Sequence, residues 1–248
     1  MSATTCSAAQ IQQGLQDVFD LTGQLRGRLA PLLSCMPLAF LVLALAMVAL
    51  PAQAEEALST ERQWRFRVFL DDKEIGYHDF FLAEQGARRV LRTVAEFEYK
   101  LLFVKLYDYV HENSEEWQGD CLTRIESSTD DNGEALSVLG RQQQGTFVVQ
   151  ANRGSTSLPN CVMSFAYWNP EFLKQSQLLN SQSGEYVDVQ VSTPEPTEFR
   201  VHGEMRPALS YHLAAGPLKL QLWYSTDREW LGLESETKSG RMLRYVLL

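Results

Sequence analysis

The chain has 248 residues, 45% of them apolar and 21% charged, an ordinary globular composition. Its formal charge is −9, and no run of Lys and Arg interrupts the acidic excess. That balance argues against a nucleic-acid partner, because phosphate contacts need clustered cations to release counterions.

From Leu29 to Ala54 no residue is charged, and Pro37–Leu50 is almost wholly apolar. Arg26 and Arg28 precede this run, and Ala52-Gln53-Ala54 ends it just ahead of Glu55-Glu56. A positive flank, a short apolar core and a small-x-small site make a secretory signal cleaved near Ala54. The same uncharged run, residues 29–54, is long enough to serve instead as an inner-membrane anchor held by the two Arg. The stretch before it, with Ile11, Leu15, Val18 and Leu25 at helical spacing, is longer than a signal requires and also fits a start codon set too far upstream. Residues 1–54 are therefore expected to be a leader with an N-terminal hydrophobic helix. Residues 55–248 are expected to form one β domain, periplasmic or secreted, that meets the membrane only through the N-terminal segment.

Beyond the leader the pattern is that of strands. Trp64, Phe66, Val68 and Leu70 alternate with Arg65, Arg67 and Phe69, and Asp71-Asp72-Lys73 turns the chain. Ile75 to Leu82 returns with Tyr77 and Phe81 on one face and His78 and Phe80 on the other, ending at Gln85-Gly86. Val90 to Tyr99 sets Leu91, Thr93, Ala95, Phe97 and Tyr99 on one side. Leu101 to Leu106 is an apolar bend, after which Tyr107, Tyr109 and His111 share a face and Trp117 to Ser128 follows. Asp131-Asn132-Gly133 is the strongest hairpin signal, since Asn-Gly accepts the positive φ of a type I′ turn. Leu136 to Arg141 and Thr146 to Gln150 turn at Gln144-Gly145. Later strands are expected at Tyr186–Val191, Phe199–His202, Ser210–Leu213, Leu218–Trp223, Trp230–Thr237 and Met242–Leu247, with Thr193–Pro196 as a stiff loop.

Residues 158–185 break this rhythm. Cys161, Met163, Phe165, Tyr167 and Trp168 crowd together ahead of Asn169-Pro170, which suits an N-cap followed by the first turn of a helix. Phe172, Leu173, Leu178 and Leu179 would supply its apolar stripe. The expected fold is all-β: a strongly curved antiparallel meander or open barrel with one short helix packed against it. In such a fold the aromatic segment is either a lid over a cavity or a plain core filler. Only Cys121 and Cys161 lie beyond the leader, and outside the cytoplasm they most simply form a disulfide; the alternative is two buried thiols.

The run Cys161-Val-Met-Ser-Phe-Ala-Tyr-Trp-Asn-Pro170 resembles the signature of a bacterial family of exported proteins that carry a domain of unknown function. Ile75-Gly-Tyr-His78, Trp117-Gln-Gly-Asp-Cys121-Leu122, Leu222-Trp-Tyr224 and Gly240-Arg-Met-Leu-Arg-Tyr245 add to the likeness. The resemblance implies export and an all-β domain, with no assigned activity.

Several chemistries can be weighed on residue types. Cys161 with His78 or His111 and Asp108 would be the parts of a thiol hydrolase, though a disulfide with Cys121 removes the nucleophile. His78, His111, His202 and His212 lack metal-motif spacing; His78 and His111, with Glu112, Glu115 and Glu116, are the ones neighbouring strands could gather. Ser164 is not in a nucleophile elbow, and the acidic pairs Glu115-Glu116 and Asp130-Asp131 read as solvated loops. No catalytic residue, metal or cofactor is assigned. The leading expectation is an envelope protein binding a lipid or other apolar small molecule, with Met163, Phe165, Tyr167, Trp168 and Phe172 at the mouth of its cavity. The alternative is a module that presents Trp168 to another envelope protein.

Overall fold

In Thr60–Leu70 (β1) the rings of Trp64 and Phe66 and the side chain of Val68 are buried, while Arg65 and Arg67 between them face solvent. Lys73–Gln85 (β2), Arg88–Leu101 (β3), Val104–Gln118 (β4), Cys121–Asp131 (β5), Glu134–Gln143 (β6), Thr146–Ala151 (β7) and Gly154–Leu158 (β8) follow, with the period of two plainest in β3, β4 and β5. The computed structural model describes residues 60–101, 103–237 and 239–248; the leader expected over residues 1–54 lies outside them. Among the described residues no helix is long and apolar enough to cross a membrane.

Each connection in this run is a two-residue loop. Asn132 (φ 55°) and Gly133 (φ 90°) take the left-handed conformations expected of the Asn-Gly turn. After the crossing segment come Gln177–Leu179 (β9), Tyr186–Asp188 (β10), Gln190–Val191 (β11), Glu195–Val201 (β12), Glu204–Ala215 (β13), Leu218–Ser225 (β14), Trp230–Glu236 (β15) and Met242–Leu247 (β16). The large sheet is antiparallel, in the order β11-β13-β14-β15-β16-β1-β2-β3-β4-β5-β6-β7-β8, with β12 also pairing β13. Its two edges do not pair with each other, so the sheet is not a closed barrel. β9 and β10 make a separate two-stranded ribbon.

The curvature follows from two contacts. The Tyr167 carbonyl accepts a 2.7 Å hydrogen bond from the Tyr224 hydroxyl on β14, and the next residue, Trp168, stacks edge-on against Trp117 of β4 at 5.6 Å. In a flat sheet β14 and β4 would stand about 29 Å apart at ordinary strand spacing. Two consecutive residues cannot bridge that gap, so the sheet curls around the segment that carries them. Its inner face and residues 162–179 form one hydrophobic core, in which Val162, Met163, Ala166, Trp168, Phe172, Leu178 and Leu179 are buried.

Several sequence expectations are revised. Trp117 belongs to β4, which ends at Gln118, because Gly119 (φ 58°) and Asp120 turn the chain before β5 begins at Cys121. β8 was not expected, and Tyr186–Val191 divides between the small ribbon and the edge of the large sheet. Glu195 and Pro196 open β12 and do not form a loop; a proline is tolerated there on an edge strand that needs no donor on its outer side. Asn169 does cap a helix, accepting from the Glu171 amide at 3.2 Å with Pro170 in the first turn. That helix is a single 3₁₀ segment, Pro170–Lys174, ending at the extended residue Gln175. Leu178 and Leu179 are not on it; they belong to β9 and are held by pairing with β10.

Cys121 and Cys161 form a disulfide with Cα atoms 4.8 Å apart, fastening the start of β5 to the crossing segment. The Leu122 amide adds a 3.0 Å bond to the Val162 carbonyl beside it. Replacing both cysteines by Ala is expected to cost about 4 kcal/mol and to lower the thermal midpoint by about 10 °C, read by differential scanning calorimetry. An unchanged midpoint would mean that the bridge constrains nothing the packing does not already fix.

Candidate functional site

β4 carries Tyr107, Tyr109, His111, Asn113, Glu115 and Trp117 on its inner face, one every second residue. The last five are buried. Glu115 is neither at a turn nor in solvent, as its acidic neighbour Glu116 had suggested; it stands in mid-strand between Leu91 of β3 and Ile125 of β5. Its carboxylate accepts from Asn113 Nδ2 at 3.1 Å and Trp117 Nε1 at 3.0 Å, and it is hydrogen-bonded to Ser164 of the crossing segment. Burial raises its pKa, and these three bonds hold it back.

Register brings His78 and His111 into one row, on either side of Ala95. His78 Nδ1 lies 3.2 Å from the Tyr245 hydroxyl, and His111 Nδ1 lies 2.8 Å from Thr129 Oγ1. Burial, with the neighbouring His111, depresses His78 to about 3, and burial depresses His111 to about 4. Both imidazoles are therefore neutral at neutral pH. His78 Nε2 has no partner among the described residues, and neither do Asn113 Oδ1 and Trp168 Nε1.

Around this row four phenols converge. Tyr107 and Tyr109 of β4, Tyr167 of the crossing segment and Tyr245 of β16 are all pushed above the ordinary tyrosine range by burial, and Tyr245 feels the other three. Gln182 donates to the Tyr109 hydroxyl, Tyr107 bonds Asp131, and Tyr245 bonds His78. The Tyr167 ring packs on Trp230 (5.1 Å) and Phe172 (5.7 Å), and Phe66, Trp230 and Phe80 continue the aromatic wall. His78 and Tyr167 are surrounded by protein yet keep part of their surface uncovered, as do Tyr107 and Phe165.

The five residues expected at a cavity mouth are thereby divided. Met163 (2% exposed), Trp168 (3%) and Phe172 (0%) are core, and Trp168 is sealed further by the Arg89 guanidinium 4.8 Å from its ring. Phe165 and Tyr167 are half-buried. A partner surface built on Trp168 has no exposed ring to offer. The thiol hydrolase loses its nucleophile, because Cys161 is spent in the disulfide. His202 and His212 are exposed on β12–β13, and no three possible ligands gather around a metal position among the described residues. Beside the inner face of β13 and β14, the 3₁₀ helix flanks a cleft of about 240 Å³ lined by Pro170, Leu173, Leu209, Tyr211, Tyr224 and Arg228.

Residues 66–248 match the model of a domain of unknown function, DUF6134. The chain belongs to that family. No curated protein matches it. Among solved structures the DUF6134 chain is similar to a β-barrel-like protein of the domain of unknown function DUF1849 from Brucella abortus, with a TM-score of 0.54 at 9% identity. That likeness covers 77% of this chain and 96% of the other, and it is a likeness of fold. Sequence reasoning passed over Asn113 and read Glu115 as solvated, although both lie on the β4 face whose phase is visible at Tyr109 and Trp117; Tyr245 lies on β16.

Two outcomes follow from the buried polar groups. Glu115→Ala, which strands the Trp117 and Asn113 donors, should cost about 2–4 kcal/mol in urea unfolding, with Glu115→Gln less damaging. Because His78 and His111 titrate near 6.5 when unfolded but lower when folded, they favour the fold above about pH 6.5. That contribution falls away as pH drops toward about 4 and below, so the thermal midpoint should decline over this range. His111→Gln should flatten the decline; Glu115, whose pKa moves the other way, does not produce it.

Proposed function

We propose that the protein is an exported, non-catalytic binding protein for an apolar or lipid-like ligand, held inside the curled sheet against the crossing segment. The observation that carries this reading is Tyr167: a half-buried ring packed on Trp230 and Phe172, with Phe165, Tyr107 and His78 also half-buried and His78 Nε2 without a partner among the described residues. Aromatic walls suit an acyl or ring system, and neutral phenols and imidazoles suit an uncharged or weakly polar head group. Shape and hydrogen bonding would orient the ligand, since the two histidines bring no charge. Export is supported by the disulfide, which persists in oxidising compartments, and by the apolar leader ahead of Glu55.

Purified from a bacterial envelope, the protein should carry lipid that appears in native mass spectra and in solvent extracts. Phe165→Ala should weaken rebinding of a fluorescent fatty acid about tenfold, the worth of one buried aromatic face. Bare protein in the mass spectrum, together with empty extracts and no rebinding, would remove the proposal.

A further inference from the structure

The β3–β4 hairpin breaks a rule that the other two-residue loops keep. Those between β1 and β8, and on either side of β13, contain Asp-Asp, Gly-Ala, Gly-Asp, Asn-Gly, Gln-Gly, Asn-Arg, His-Gly and Gly-Pro. Each has at least one of the residue types that tight turns favour for positive φ or local hydrogen bonding. Between Leu101 and Val104 the sequence is Leu-Phe. Phe103 is fully exposed at this tip, and Leu106 beside it is half exposed. A large ring at the summit of a hairpin neither stabilises the turn nor joins the core, so its cost has no return within the fold.

The layer beneath the tip is also unusual. Lys100 and Lys105 are register partners directly across the hairpin, an arrangement that like charges disfavour. The next pair inward but one is Glu98 and Asp108, each ion-paired to the lysine on its own strand. Lys73 joins the collar by donating to the Lys100 carbonyl, with its ammonium 4.5 Å from the Tyr99 ring. On the hairpin itself the order from the summit downward is apolar ring, ammonium groups, carboxylates; in the adjoining turn Asp71 is paired with Arg241, whose guanidinium lies 4.6 Å from the Tyr99 ring.

We propose that this hairpin tip is a membrane-contact point, with Phe103 entering the acyl region of a leaflet and Lys73, Lys100 and Lys105 at the level of its phosphates. The order of layers matches a bilayer surface, where hydrocarbon lies deepest and anionic phosphates lie above it; the hairpin's own acids sit furthest out, and Asp71 is neutralised by Arg241. Long lysine stems can reach sideways to head groups while the tip is immersed. A protein partner fits less well, because a stable interface covers about 800 Å² on each side and the tip is a narrow convex point. The contact is separate from any made by the leader, and it does not depend on what the interior of the curl holds.

The test is Phe103→Trp in the full chain. All five natural tryptophans are buried, so the difference spectrum against the unsubstituted protein reports the tip alone, whatever the leader does. With vesicles of phosphatidylethanolamine and phosphatidylglycerol, the introduced indole should shift to shorter wavelength and be quenched by bromines on the acyl chains. Adding Lys100→Gln and Lys105→Gln should raise the lipid concentration needed for half-quenching about tenfold. An indole that stays unshifted and unquenched on vesicle-bound protein would overturn the proposal. A blue shift that needs no lipid and grows with protein concentration would overturn it too, in favour of contact between two copies.

Discussion

One short piece of irregular chain has to touch both arms of a curled sheet. Tyr167 and Trp168, adjacent in sequence, reach β14 and β4, and the polypeptide around them is fixed at three further places. At one end the disulfide, the Leu122–Val162 bond and the buried Glu115–Ser164 contact bind it to β4 and β5. In the middle Asn169 donates to Asp120 at 3.0 Å, and Arg228 meets Glu171 at 2.7 Å. Further on, Gln182 reaches Tyr109, and Ser127 donates to the Ser181 carbonyl. Without this strap the inner rows of the sheet would present an apolar wall to water, and nothing would hold the two arms at one distance.

Much of this architecture could be read in advance, because alternation and turn chemistry are local. Trp64 to Leu70, Leu91 to Tyr99 and the Asn132-Gly133 turn each declare their structure within a few residues. The strap was harder. Phe172, Leu173, Leu178 and Leu179 suit one face of a helix, and only pairing with Tyr186–Asp188, more than five residues away, makes Leu178 and Leu179 a strand. An irregular segment has no period, so nothing local told core from mouth among Met163, Phe165, Tyr167, Trp168 and Phe172. Glu115 was misjudged for a different reason: its side-chain type suggested solvent, while its phase, two residues from Trp117, placed it inside. There the period was the better guide.

The imidazoles and phenols of the interior that results are polar without being charged. Two imidazoles held neutral, phenols held protonated and one enclosed carboxyl share a small volume with the rings of Phe66, Phe80, Phe97 and Trp230. Such an environment rewards shape and hydrogen-bond geometry and gives little to ionic attraction. Most cations of the chain are spent on the outside instead, in exposed pairs such as Arg67–Glu74 and Arg124–Glu126, each adding little to stability.

The strand order has a kinetic corollary. Nearly every neighbour in the large sheet is a hairpin partner, formed between residues a few positions apart, yet β1 lies between β2 and β16. That single seam joins the strands most distant in sequence. The hairpins on either side can zip early and independently, at small entropic expense, whereas the seam must wait for Met242–Leu247 to find Phe66–Leu70. Until it closes, the chain is two fans of hairpins with raw inner edges, and the wall they will share does not yet exist.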